Sequence, residues 1–96
     1  MIVRYTPRAI GDLIAIADYI KARNRQAAER IETAISMSVD QLSQHPNLGV
    51  DRAHLGVRGL GVPRFPYTIY YRVDPEAVVI VHIRDDRRRP LGAADL

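Results

Sequence analysis

Residues 65–84, Phe65-Pro66-Tyr67-Thr68-Ile69-Tyr70-Tyr71-Arg72-Val73-Asp74-Pro75-Glu76-Ala77-Val78-Val79-Ile80-Val81-His82-Ile83-Arg84, decide the fold. Phe65 to Val73 is dense in aromatic and β-branched residues, and Ala77 to Arg84 is nearly continuous in apolar ones. Asp74-Pro75-Glu76 between them has turn chemistry, so the two segments are expected to pair as antiparallel strands. Side chains alternate across a strand, which puts Thr68, Tyr70 and Arg72 on one face and Ile69, Tyr71 and Val73 on the other. Pairing Arg72 with Val78 around the turn would set Tyr70 opposite Ile80 and Thr68 opposite His82. The face bearing Tyr70, Arg72, Ile80, His82 and Arg84 would then point away from any covering helices. A slip of one residue would exchange the faces.

Upstream, Val57-Arg58-Gly59-Leu60-Gly61-Val62 is a weaker, glycine-interrupted strand suited to an edge or a bulge. His45-Pro46-Asn47-Leu48-Gly49 marks the end of a helix, and the stretch to about Gly56 reads as loop. Before it lie two helical stripes, Ala9, Leu13, Ile16, Ala17 and Ile20, then Ala28, Ile31, Ile35, Val39 and Leu42. Thr6 is a candidate N-cap with Pro7 at the first helical position, and Asn24 a candidate C-cap where the first stripe lapses. A break this short implies a helical hairpin. Ile2 to Tyr5 opens the chain as a strand. The expected fold class is α+β: an N-terminal strand, a helical hairpin, then a three-stranded antiparallel meander, in one sheet packed on the two helices. Asp85 to Leu96 is expected to be a charged, then small-residue tail.

At 96 residues the chain is expected to form one domain, residues 1–96. Apolar residues make up 47% and charged residues 26%, an ordinary globular balance that disfavours disordered, collagen-like and coiled-coil readings. The N-terminus lacks a signal-peptide layout and no apolar run reaches membrane-spanning length, so a cytoplasmic protein without membrane contact is expected. The absence of cysteine removes disulfides, thiolate metal sites and thiol nucleophiles. With three scattered histidines, neither a metal nor a cofactor is expected. The basic residues number 14, all arginine except Lys21, at a formal net charge of +3. Guanidinium stays charged and forks to phosphate or carboxylate, so a polyanionic partner is compatible with this composition.

The candidate surface is the sheet face with Tyr70, Arg72, His82 and Arg84, joined by Arg58 and by the Arg87-Arg88-Arg89 run. One interpretation is phosphate contact with aromatic stacking, or an acidic protein segment lying on the face. The other is solvated surface, its arginines paired with Asp74, Glu76, Asp85 and Asp86. His82 has the titration range for acid–base work but is equally suited to a structural hydrogen bond. Asp85 and Asp86 are adjacent and diverge, unlike a convergent carboxylate pair. Gly56 to Gly61 lacks the lysine and following helix of a phosphate loop.

The combination Ala9-x-x-Asp12-Leu13-x-x-Ile16-x-x-Tyr19-Ile20, Ala27-Ala28, Leu42-x-x-x-Pro46-x-x-Gly49, Gly56-Val57-Arg58-x-Leu60, Phe65-Pro66-Tyr67-x-Ile69-x-Tyr71-Arg72-Val73 and Ile80-x-x-Ile83-Arg84-x-x-x-Arg88-Arg89-Pro90 resembles the RelE/ParE superfamily of bacterial type II toxins. The strand and Gly-Val-Arg segments are more similar to the ParE-like branch. That resemblance implies a growth-inhibiting, plasmid-stabilising toxin bound in a hetero-oligomer with a cognate antitoxin. Its implied target is DNA gyrase, poisoned stoichiometrically. The RelE-like alternative is ribosome-dependent cleavage of mRNA, with Arg58, His82 and Arg88 as candidate catalytic residues. Thr68 stands where such ribonucleases carry an arginine, and Asp85 where many relatives carry histidine. A third alternative is a non-toxic binding module. The residues that the resemblance puts at a target or antitoxin surface are Arg58, Tyr70, Arg72, Ile80, Arg84, Arg87 and Arg88.

Overall fold

The computed structural model describes residues 1–96. The elements are strand β1 (Ile2–Tyr5), helices α1 (Pro7–Lys21) and α2 (Arg25–Gln44), then strands β2 (Val50–Arg52), β3 (Val57–Gly61), β4 (Tyr67–Val73) and β5 (Ala77–Asp85). They form one five-stranded sheet in the order β1-β5-β4-β3-β2, in which β1 runs parallel to β5 and every other pair is antiparallel. The α+β class and element order agree with expectation. The meander carries one strand more, because Val50–Arg52 pairs with Val57–Gly59 where a loop was expected. Three residues are too short a run to show a period of two, and hydrogen bonding to β3 makes them a strand.

Thr6 caps α1, its Oγ1 accepting from the Ala9 amide at 3.1 Å, with Pro7 at the first helical position as expected. Asn24 does the reverse of its expected task. It is the N-cap of α2, its Oδ1 accepting from the Ala27 amide at 3.1 Å, while Ala22 ends α1. Asparagine suits either helix end, and here the extended backbone at Asn24 aims its side chain at the new helix. The expected α2 stripe, Ala28, Ile31, Ile35, Val39 and Leu42, is buried throughout. Its residues from Ile31 to Leu42 pack with Ala9 and the sheet residues Ile69, Tyr71, Val78, Ile80 and Ile83 into one core. From α1, Leu13, Ile16 and Ile20 add partly buried cover.

The β4–β5 register departs from the expected one. Arg72 pairs with Val79 and Tyr71 with Ile80, after which the register shifts so that Tyr70 pairs with His82 and Thr68 with Arg84. Val81 is the extra residue of this β-bulge. Val78 and Ile80 before the bulge and Ile83 after it therefore all reach the core, while Tyr70, His82 and Arg84 lie on the other face. Ile80 is consequently corrected from a surface residue to a fully buried one at 0% exposure, so a partner has nothing there to cover.

Tyr71 ties the end of α2 to the sheet. Its buried hydroxyl donates to the Pro46 carbonyl at 2.7 Å and accepts from the Gly49 amide at 2.8 Å. Burial pushes this phenol's pKa up. A Cβ at Gly49 would stand 2.8 Å from the Tyr71 ring and 3.0 Å from the Gly59 carbonyl, so the close approach needs glycine. At Gly56, φ of 72° requires the left-handed region that glycine tolerates. Tyr71→Phe leaves a buried N–H and C=O without their partner and is expected to cost about 2 kcal/mol in urea unfolding. Gly49→Ala is expected to cost about 1–3 kcal/mol by overpacking against the same ring. An unfolding midpoint unchanged in both variants would remove this tie from the fold.

Candidate basic surface at the end of the sheet

β1 covers only the first half of β5, from Ala77 to Ile80, because the chain leaves the sheet at Thr6. The exposed edge beyond must be satisfied some other way, since buried backbone groups are costly when unpaired. The start of α1 does this. The Thr6 amide donates to the Ile80 carbonyl at 2.9 Å, and its hydroxyl to the Val81 carbonyl at 3.3 Å. Six residues on, Asp12 Oδ2 accepts from the Ile83 amide at 3.0 Å and stands 2.6 Å from His82 Nδ1. That carboxylate fixes the tautomer with the proton on Nδ1, which donates to it. The His82 ring is buried, stacked on Tyr70 with centroids 6.2 Å apart and planes at 25°. Its visible task is to brace the strand edge.

Of the sequence candidates, Tyr70, Arg84 and Arg88 line one shallow hollow on the outer face, together with Arg52, His54 and Asp86. His82, Arg87 and Arg88 line an adjacent hollow with Asp12, Tyr19 and Tyr67. Three candidates lie elsewhere. Ile80 is in the core. Arg72 sits at the hairpin end, paired with Asp74 at 3.2 Å. Arg58 pairs across the sheet with Tyr71, which puts it on the helix-covered side rather than with Tyr70. Its Nη1 donates to the Gly49 carbonyl at 3.0 Å, bracing the loop that Tyr71 also holds.

The two aspartates at the end of β5 are also engaged. Asp85 meets Arg87 Nη2 at 2.6 Å and Nε at 3.0 Å, and accepts the Arg87 amide at 2.8 Å. Hydrogen bonding from Arg87 pulls the Asp85 pKa down from 3.8 to about 2. Asp86 Oδ1 accepts from the Thr68 hydroxyl at 2.5 Å. The contacts that sequence reasoning missed are Thr6 and Asp12 on the β5 edge, and Arg8, Arg89 and Asp95 around Arg84. Asp12 was within the quoted motif, but its partner lies 70 residues away. No cluster of three or more metal-binding side chains is present, and no helix is long and apolar enough to cross a membrane.

Two predictions test this electrostatic layout. Asp12→Ala strands the Ile83 amide and His82 Nδ1 and is expected to lower unfolding stability by about 1–3 kcal/mol, whereas Asp12→Asn, which keeps an acceptor, loses less. Asp85 is ionised more readily in the folded than in the unfolded chain. Its stabilisation is therefore present above pH 4 and lost as the pH falls through about 2. Asp85→Asn should flatten the stability–pH curve in that window, and an identical slope in both proteins would contradict the Asp85–Arg87 pairing.

Comparison with known proteins agrees with this architecture. The model of the family described as ParE toxin of type II toxin-antitoxin system, parDE, matches residues 3–90. A Caulobacter vibrioides protein named Toxin RelE3 is 37% identical over 89 residues, covering 91% of this chain and 96% of that protein. Toxin RelE2 of the same organism is 38% identical over 86 residues, covering 90% and 96%. A solved structure titled Chromosomal ParDE TA system from P. aeruginosa superposes with a TM-score of 0.77 at 28% identity, covering 88% of this chain and 95% of that one.

Proposed function

This chain belongs to the ParE toxin family of type II toxin–antitoxin systems, and we propose that it acts as a stoichiometric, non-catalytic poison of DNA gyrase held in check by a cognate antitoxin. The observation that carries the non-catalytic half is the separation of the ribonuclease candidates. Arg58 faces the helix side of β3 and holds a loop, while His82, two strands away on β5 and turned to the opposite face, shares a hollow with Arg88. General acid–base cleavage of a phosphodiester needs its proton-moving and charge-stabilising groups convergent on one reacting site. His82 is moreover committed at Nδ1 to Asp12.

A surface that binds rather than cleaves needs only exposed anchors. Arg4 and Arg72 flank Val79 on the outer face, Arg52 lies on the edge strand, and Arg88 stands at the far end. Of these only Arg72 has an acidic partner within 4.0 Å. Charges of one sign on an open face steer an oppositely charged partner and fix its register. The antitoxin is assigned to this outer sheet face, where an acidic segment would meet the unpaired arginines in a toxin–antitoxin hetero-oligomer.

The ribosome-dependent ribonuclease remains the second reading, because His82 and Arg88 do line one hollow. The two are separated by inducing the protein without its antitoxin. Purified gyrase with supercoiled DNA is expected to yield linear, protein-linked DNA, while ribosome-bound messenger stays intact. Arg88→Glu, an exposed change, is expected to weaken growth inhibition at least tenfold. Cut messenger with unaffected gyrase would overturn the proposal in favour of the ribonuclease, and unaffected growth would favour a non-toxic binding module.

A further inference from the structure

The arginines crowd most closely under the C-terminal tail. Arg8, Arg84, Arg88 and Arg89 line, with His82 and Asp95, a hollow of about 300 Å³ that no apolar side chain borders. A single carboxylate stands in its wall. Asp95 Oδ1 accepts from Arg89 Nη2 at 2.7 Å. Its Oδ2 accepts from Arg89 Nη1 at 2.9 Å, Arg84 Nη1 at 3.2 Å and the Gly92 amide at 2.8 Å. The Asp95 carbonyl accepts from Arg8. Arg84, only 6% exposed, also donates to the Arg89 carbonyl at 2.5 Å. Asp95 thus provides the anion that a buried guanidinium requires.

We propose that this hollow is an anion seat suited to a phosphate group, and that Asp95 is an intramolecular stand-in that keeps it closed until a phosphate displaces residues 92–96. The Asp95 carboxylate is held by Arg84 and Arg89, while Arg8 and Arg88, which line the same hollow, have no acidic side chain within 4.0 Å. A phosphate offers more peripheral oxygens than a carboxylate and matches the guanidinium fork. An acidic peptide fits less well, because its flanking side chains would find no apolar wall to pack on. The tail is lightly held apart from Asp95: the short 3₁₀ turn Ala93–Asp95 buries no residue, and Leu96 is 39% exposed. Asp95 lies beyond residue 90, where the family match ends, whereas Arg8, Arg84, Arg88 and Arg89 lie within it. The proposal does not depend on which target the protein has.

The test uses the full chain in NMR at constant ionic strength, with chloride as the balancing anion. Inorganic phosphate, a short single-stranded oligonucleotide and an acidic peptide are titrated separately. In the wild type, saturating phosphate is expected to speed hydrogen exchange of the Asp95 and Leu96 amides, which now bond to the Gly92 and Ala93 carbonyls. Asp95→Asn, which keeps the shape and removes the charge, is expected to bind phosphate at least tenfold more tightly. Adding Arg89→Gln at that exposed position should cancel the gain. An equal response to free phosphate and oligonucleotide supports recognition of the phosphate group itself, and a response to the oligonucleotide alone supports a nucleic-acid backbone as its source. Unchanged tail exchange together with equal phosphate affinity in wild type and Asp95→Asn overturns the proposal. Displacement by the acidic peptide and by neither phosphate source also overturns it. The wild-type exchange measurement stands whether or not the variants fold.

Discussion

Strand β5 has to find hydrogen-bond partners along both edges, and only one neighbour runs its full length. β4 pairs from Tyr67 to Val73, whereas β1 stops at Ile80. The unpaired half-edge is closed by α1, through Thr6 at Ile80 and Val81 and Asp12 at Ile83. This requirement fixes where α1 starts and which of its faces meets the sheet. It also accounts for a carboxylate on the inner side of an otherwise apolar helix stripe. The bulge at Val81 falls where β1 ends, and it turns His82 and Arg84 to the outer face while Ile80 and Ile83 both stay in the core. One local irregularity thus determines which basic side chains a partner can meet.

The arginines divide by what the backbone around them needs. Arg58 donates to a loop carbonyl, Arg84 is buried against Asp95, Arg87 neutralises Asp85, and Arg89 forks onto Asp95. Their charge is largely spent within the molecule, in pairs that at the exposed positions contribute little stability each. On the outer sheet face and at its end, Arg4, Arg52 and Arg88 have no acidic partner within 4.0 Å and are available to another molecule. On that face the available arginines form a sparse row rather than a continuous coat. The membership in a toxin family and the outer-face location of that row are consistent with a protein partner whose acidic groups are spaced to match.

The aromatic residues divide in the same way. Tyr71, Tyr70 and Tyr67 are all buried, so the tyrosine-rich strand serves packing before contact. Tyr71 spends its hydroxyl on Pro46 and Gly49, which explains why a Leu-x-x-x-Pro-x-x-Gly segment and a distant Tyr-Arg-Val strand belong together in one pattern. Tyr70 supports His82 by stacking, and only its placement beside the hollow with Arg84 and Arg88 links it to the surface.

The helical stripes, the Thr6–Pro7 start and the strand order from Val57 onward were legible in the chain, because period and capping chemistry are set by residues within a few positions of one another. So was the family pattern, whose pieces follow in order along the chain. Four features were not legible. β2 is too short to have a period, Asn24 has chemistry suited to either helix end, Val81 looks like any strand valine, and Asp95 sits in a tail with no pattern. Three of them are decided by contacts that form only on folding: β3 for Val50, β1 and Thr6 for the bulge, Arg84 and Arg89 for Asp95. Asn24 alone is settled locally, by the backbone angle at which the chain enters α2. The sequence by itself determined the class of fold and the kind of protein, since local periodicity and ordered motifs carry both. Only the tertiary structure decided that Ile80 joins the core and Arg58 the helix side, because a one-residue bulge inverts a strand's faces and pairing with Tyr71 sets the face of Arg58, neither of which a neighbouring residue announces.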